Sequence, residues 1–231
     1  EELERKIRED PDSNPMMLTR RIVTIGFLQL LACQPAAVQQ AATRLRDAAE
    51  KNLLPNTIVW ASCIHGISCF QSGEFEAARS HFREVAEKRH IFHRQAAVLS
   101  LAGLALTCEA MGRQGEADEV LDLLQEFARE EGEASSFAIA DSSRARVALW
   151  RGDLGTAVRL LPPQQGTPDP AAMIYFVEVP CLTRCRVLLA KGAMDEVAAV
   201  AKTLADLRKG LEDLHNTLQL IDVMVLQAWA L

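Results

Sequence analysis

Small and apolar positions recur in a fixed register along the chain, set around four glycines. Gly73, Gly112, Gly152 and Gly192 stand 39, 40 and 40 residues apart. Seven residues before them are the small residues Gly66, Ala105, Ala145 and Cys185, and five after them come Ala78, Ala117, Ala157 and Val197. Nine after them are Phe82, Leu121, Leu161 and Ala201. The glycine permits the positive φ that ends one helix and turns into the next. The small residues let two antiparallel helices approach, and the larger apolar residue fills the space beyond them. The pattern therefore predicts one helical hairpin per copy. Upstream, Cys33 takes the glycine position with Gly26 before it, Val38 after it and Pro35 at a helix start. Downstream, Leu211 to Leu231 reads as the first helix of one more copy.

The expected organisation is a single domain of repeats at about 16–52, 57–90, 94–131, 135–164 and 171–209, with a half-repeat at 211–231. A helix, small residue, tight turn and helix resembles the tetratricopeptide (TPR) repeat, although the period is longer than the usual ~34 residues and nearer the ~40 of HEAT repeats. The fold class expected is all-α, a right-handed α-solenoid of TPR-like hairpins with a concave inner surface. Its least regular links are RHIFHRQ (89–95) and PPQQGTPDPAA (162–172), the second read as a long exposed loop.

Composition agrees with helices. Of 231 residues 49% are apolar and 24% charged, and aromatics are only 5%, while alanine and leucine, strong helix formers, are abundant. The net charge of −6 is concentrated in residues 109–133, where nine acids face two arginines. Nucleic-acid binding shows the opposite, a basic footprint. No signal segment opens the chain, and no run of apolar residues is long enough to span a bilayer, so a cytoplasmic protein without membrane contact is expected. The chain begins without methionine and stops within an apolar stretch, VMVLQAWAL, which suggests a piece of a longer polypeptide.

Candidate chemistry is sparse. Cys181 and Cys185 stand four apart, but Cys185 occupies the slot filled elsewhere by glycine and alanine, and the two further ligands of a metal site are missing. The six cysteines read as buried free thiols in a reducing compartment. His81, His90 and His93, with Cys63 and His65 on the preceding helix, make a second possible cluster, discounted in favour of helix C-terminal capping. No phosphate-binding loop, nucleophile elbow or H-E-x-x-H motif occurs. Nothing brings Asp141, Ser142 and Ser143 to a histidine, and Glu130 and Glu131 read as solvated. The expectation is a non-catalytic chain with no metal and no cofactor.

A binding groove is the better candidate. If the first helix of each repeat lines the concave face, Ile67, Leu106, Arg146 and Arg186 point inward, with Cys63, Ala102, Ser142 and Leu182 one turn back. Two guanidinium groups could then hold an anionic or hydroxyl-rich ligand or an acidic peptide. Pairing of both with acids on adjacent helices is the alternative.

The C-terminal quarter adds a resemblance. YFVEVPCLTRCRVLLAKGAMDEV supplies Glu178, Pro180, Leu182, Thr183, Arg186, Val187, Leu188, Leu189, Ala190 and Gly192. EDLHNTLQLIDVMVLQAWAL supplies His215, Asn216, Thr217, Leu226, Gln227, Ala228, Ala230 and Leu231. These residues resemble the TPR-like helical domain of large ATP-dependent LuxR-type transcription regulators, the maltose-activator type. Cys185 stands where that pattern usually has alanine. The resemblance implies a sensor array that binds a small-molecule inducer or regulatory protein in its groove, flanked in the same chain by ATPase and DNA-binding domains. Similar arrays follow ATPase modules in other signalling proteins, and a free-standing adaptor binding peptides is the alternative.

Overall fold

The computed structural model describes residues 15–90, 93–161 and 177–231. Among these the secondary structure is helical throughout: α1 (Pro15–Leu31), α2 (Pro35–Lys51), α3 (Pro55–Gln71), α4 (Phe75–Glu87), α5 (Arg94–Ala110), α6 (Gln114–Glu131), α7 (Ala134–Trp150), α8 (Leu154–Arg159), α9 (Pro180–Lys191), α10 (Met194–Asp213) and α11 (Thr217–Trp229). Each helix packs on the next, as in a helical-repeat solenoid of the TPR type.

One turn chemistry ends helix after helix. At the turn after α3, the Glu74 N–H donates to the Cys69 carbonyl (2.9 Å) and the Gly73 N–H to the Phe70 carbonyl (3.2 Å). This is the Schellman pattern, which satisfies carbonyls the helix leaves open. The 6→1 bond recurs as Arg113 N–H to Cys108 O, Asp153 N–H to Ala148 O and Gln34 N–H to Gln29 O. Gly73, Gly112, Gly152 and Gly192 have φ of 76°, 72°, 79° and 72°, and Cys33 holds the same conformation at 55°. Three more positive-φ residues, Leu53 (52°), Gly132 (70°) and His215 (53°), turn the chain from one hairpin to the next. Prolines start α2, α3 and α9, where a missing N–H costs nothing. Asp153 and Asn216 cap α8 and α11 by accepting from the N–H of Thr156 and Gln219.

Several boundaries differ from the expected ones. The last helix begins at Thr217, not Leu211, because Leu204, Leu207 and Leu211 form one buried stripe of α10. Leu211 belongs to the core of the preceding hairpin, and the turn falls at a histidine. The fifth hairpin's first helix starts at Pro180. The link 162–172 lies outside the described residues, as do residues 91–92 of the other.

The core is organised by Phe82, fully buried between two helices of neighbouring hairpins. A Cβ on Gly66 of α3 would lie 2.8 Å from its ring, and one on Gly103 of α5 only 2.5 Å away. Two glycines thus open the slot that the ring fills. Helix α5 is buried from Ala96 through Cys108, the all-round apolar character of a central helix.

The apolar core falls into two main bodies. One runs from Ile22 to Val147 and takes in Val177; the other runs from Val179 to Leu226. Ala148, Ala157 and Val187 form a small cluster of their own. The backbones of the first helices of successive hairpins (α1, α3, α5, α7, α9, α11) approach one another in a row, whereas the second helices meet only through long side chains, so the first helices line the tighter, inner side. Helix α11 also touches α1, so the row curls back on itself.

Candidate functional site

The residues expected on an open inner wall lie inside the packing between first helices. Ile67, Leu106 and Leu182 are fully buried, and Ser142 is 1% exposed. The small slots are filled as tightly: Ala105, Ala145, Ala78, Ala117 and Ala157 have no exposed surface, and Cys185 has 4%. First helices that pack this closely leave that register in their contact.

Both arginines are engaged. The Arg146 guanidinium donates to Glu178 Oε2 (3.0 Å) and to the Val177 carbonyl (2.9 Å), and stacks 4.9 Å over the Trp150 ring. Arg186 donates to Asp222 Oδ2 on α11 (3.0 Å). A free guanidinium pair for an anionic ligand is therefore not what the fold presents, and that expectation loses its basis. The pairing has a purpose in the fold. Glu178 is fully buried, and its Oε1 also accepts hydrogen bonds from Ser142 and from Thr183 (2.5 Å). A buried carboxylate is tolerable only when paired and hydrogen-bonded. This one ties α7, on the N-terminal core, to the start of α9, on the C-terminal core. Glu178 and Arg186 of the resemblance thus join consecutive repeats, through Arg146 and Asp222, and Thr183 helps hold the Glu178 carboxylate.

Arginine clasps recur elsewhere. Glu84 on α4 accepts from Arg46 of α2 (2.8 Å) and Ser62 of α3 (2.7 Å). Burial opposes its charge, but those two hydrogen bonds outweigh it and hold the carboxyl down to about 2. Many acids of the 109–133 stretch are paired as well. Glu109 and Asp118 bind Arg151, Glu116 binds Arg79 at 2.5 Å, and Glu131 and Glu130, read as solvated, meet Arg94 (3.1 Å) and His90 (3.7 Å).

An open cleft lies on the inner side near the N-terminal end. Its volume is about 630 Å³, and it is lined by Arg20, Val23, Thr24, Phe27 and Leu31 of α1, Asn56, Thr57 and Trp60 of α3, and His93 and Gln95 at the start of α5. Phe27 meets Trp60 edge-on at 5.3 Å, and Trp60 meets His93 at 5.0 Å. One aromatic ring from each of three consecutive first helices makes a row, a geometry suited to stacking a flat or ring-shaped ligand. His93 sits at the N-terminal boundary of α5, not at a helix C-terminus as expected. Sequence reasoning missed this cleft because Trp60 and His93 fall outside the repeat register, and Phe27, which follows Gly26 in the inward position of the upstream copy, was not carried over with Ile67 and Leu106. The available signal was two large aromatics on inner helices of a chain poor in them.

The cysteines are free, and burial pushes Cys63 and Cys181 up to about 12 and Cys185 up to about 11. Such thiols stay protonated and pack as small apolar groups. One grouping differs from the expected histidine cluster: His81 meets His65 and Cys69, not His90 and His93, and the ligand atoms of these three lie within 4.8 Å of one another.

No described helix is long and apolar enough to cross a membrane. No curated protein and no solved structure matches the chain. A family model, the MalT-like TPR region, matches residues 70–231. That span takes in the four turn glycines, the Glu178 clasp and the α9–α11 stretch, and the chain belongs to the MalT-like TPR region family.

Proposed function

We propose that this chain is the non-catalytic sensing region of a multidomain signal-transduction ATPase, a transcription regulator, and that its inner face receives a small-molecule inducer. Family membership supports the class. The observation that carries the ligand reading is the cleft of about 630 Å³ bearing Phe27, Trp60 and His93. Its size falls in the range of ~300–1,000 Å³ typical of small-molecule sites, and it combines an apolar lining with a few polar groups, here Arg20, Asn56 and Gln95. Such a ligand, bridging three consecutive first helices, would change the curvature of the array. Curvature is the variable through which a flanking ATPase module could read occupancy.

A thermal-shift screen of small metabolites against the chain and its Trp60→Ala variant tests this. The reading expects at least one compound that raises the melting temperature of the parent and not of the variant. Compounds that stabilise both equally would place binding elsewhere. A regulatory protein on the same face is the competing occupant, and it would be captured with the cleft still open to small molecules.

A further inference from the structure

We propose that His65, Cys69 and His81 form a binding site for a borderline-soft divalent metal ion, zinc by its donor set, with water at the fourth position. The inference is independent of the cleft. His65 and Cys69 stand four apart on one face of α3, and His81 reaches them from α4 across the hairpin. Their ligand atoms lie within 4.8 Å of one another. Glu74, an exposed acid immediately after the turn glycine, lies beside the Cys69 thiol. Two imidazoles and a thiolate, with water completing the tetrahedron, are ligands from which zinc sites are built.

The repeat supplies the comparison. The same three register positions in the next hairpin hold Leu104, Cys108 and Val120, all buried. Apolar packing is satisfied there by leucine and valine, so the packing of a hairpin does not itself call for two imidazoles. In α3 and α4 the two rings stack at 4.2 Å with planes 22° apart. Arg46, the cation facing them, is itself held by Glu84 at 2.8 Å. The ligand atoms of a tetrahedral zinc site are separated by about 3.5 Å, given metal–ligand bonds of ~2.0–2.3 Å. Closing from 4.8 Å asks for a turn of each ring about χ2, a soft torsion. On binding, the hydrated ion gives up water, the Cys69 thiol releases its proton to solvent, and the sulfur becomes a thiolate ligand.

Cobalt(II) titration of the metal-stripped chain is the test. One equivalent is expected to produce a thiolate-to-cobalt charge-transfer band and the intense visible bands of a four-coordinate ion, both removed by zinc. Cys69→Ala should abolish the charge-transfer band, and His81→Val should weaken binding by about tenfold or more, the loss seen even for outer partners of ligands. Cys181→Ala with Cys185→Ala should leave the spectrum unchanged. Alanine and valine fill the corresponding slots as Ala148 and Val120, so these replacements suit the fold. X-ray absorption of the zinc-loaded parent chain, expected to show one sulfur and two imidazole nitrogens, needs no variant. A weak six-coordinate spectrum, bands that survive Cys69→Ala, or no saturable binding would each overturn the proposal.

Discussion

Phe82 shows how a single side chain sets the spacing of two hairpins. Its ring occupies the volume left by Gly66 and Gly103, and a methyl at Gly103 would meet ring carbon at 2.5 Å. Gly103→Ala is therefore expected to destabilise the fold by about 1–3 kcal/mol through overpacking, read as a lower denaturation midpoint. Glu178 acts at the same scale. Glu178→Ala should cost about 3–5 kcal/mol by stranding Arg146, whereas Glu178→Leu combined with Arg146→Met should cost much less. Equal losses in the two variants would deny the clasp. Glu84 gives the pH dependence. Its folded value, about 2, lies below the ordinary carboxylate value of 4.5, so its contribution is complete above pH 4.5 and fades as the pH falls towards 2. Glu84→Gln should accordingly be less stable than the parent at pH 5, with the gap narrowing towards pH 2. At this scale the sequence was partly legible. Gly66 announced itself by register, but Gly103 carries no copy in the other repeats, and the partners of Arg146 and Arg186 depend on how close the first helices come.

Helices here are cut to length by their turns. Those ended by Gly73, Gly112, Gly152 and Gly192 were readable because glycine marks the left-handed conformation that closes a Schellman turn. The turn at Cys33 was found only through its place in the register. Leu53 and His215 stand outside the glycine register, and a single histidine is a weak mark of a positive φ, so the expected start of the last helix fell at Leu211 and not at Thr217. Leu53 is 86% exposed with φ of 52°, so its side chain brings strain and almost no packing. Leu53→Gly should raise stability by about 0.5–1 kcal/mol, the left-handed penalty of ~1–2 kcal/mol less the entropy glycine adds to the unfolded chain. A thermal melt showing no gain, or a loss, would contradict that strain argument.

Across the whole molecule, the first helices form the inner row. That arrangement was legible from repeat spacing alone. The cleft was not, because a space shared by α1, α3 and α5 depends on curvature, and the rings of Trp60 and His93 have no aromatic counterpart in the other repeats. The central claim, a ligand-receiving inner cleft, is tested most directly by the indole N–H signals of the three tryptophans in a nitrogen-15 spectrum. Trp60 lines the cleft, whereas Trp150 lies under Arg146 and Trp229 ends α11. On titration with a stabilising compound, the account predicts a saturable shift of the Trp60 signal with Trp150 and Trp229 unmoved. Saturable binding that shifts Trp150 or Trp229 and leaves Trp60 in place would contradict it.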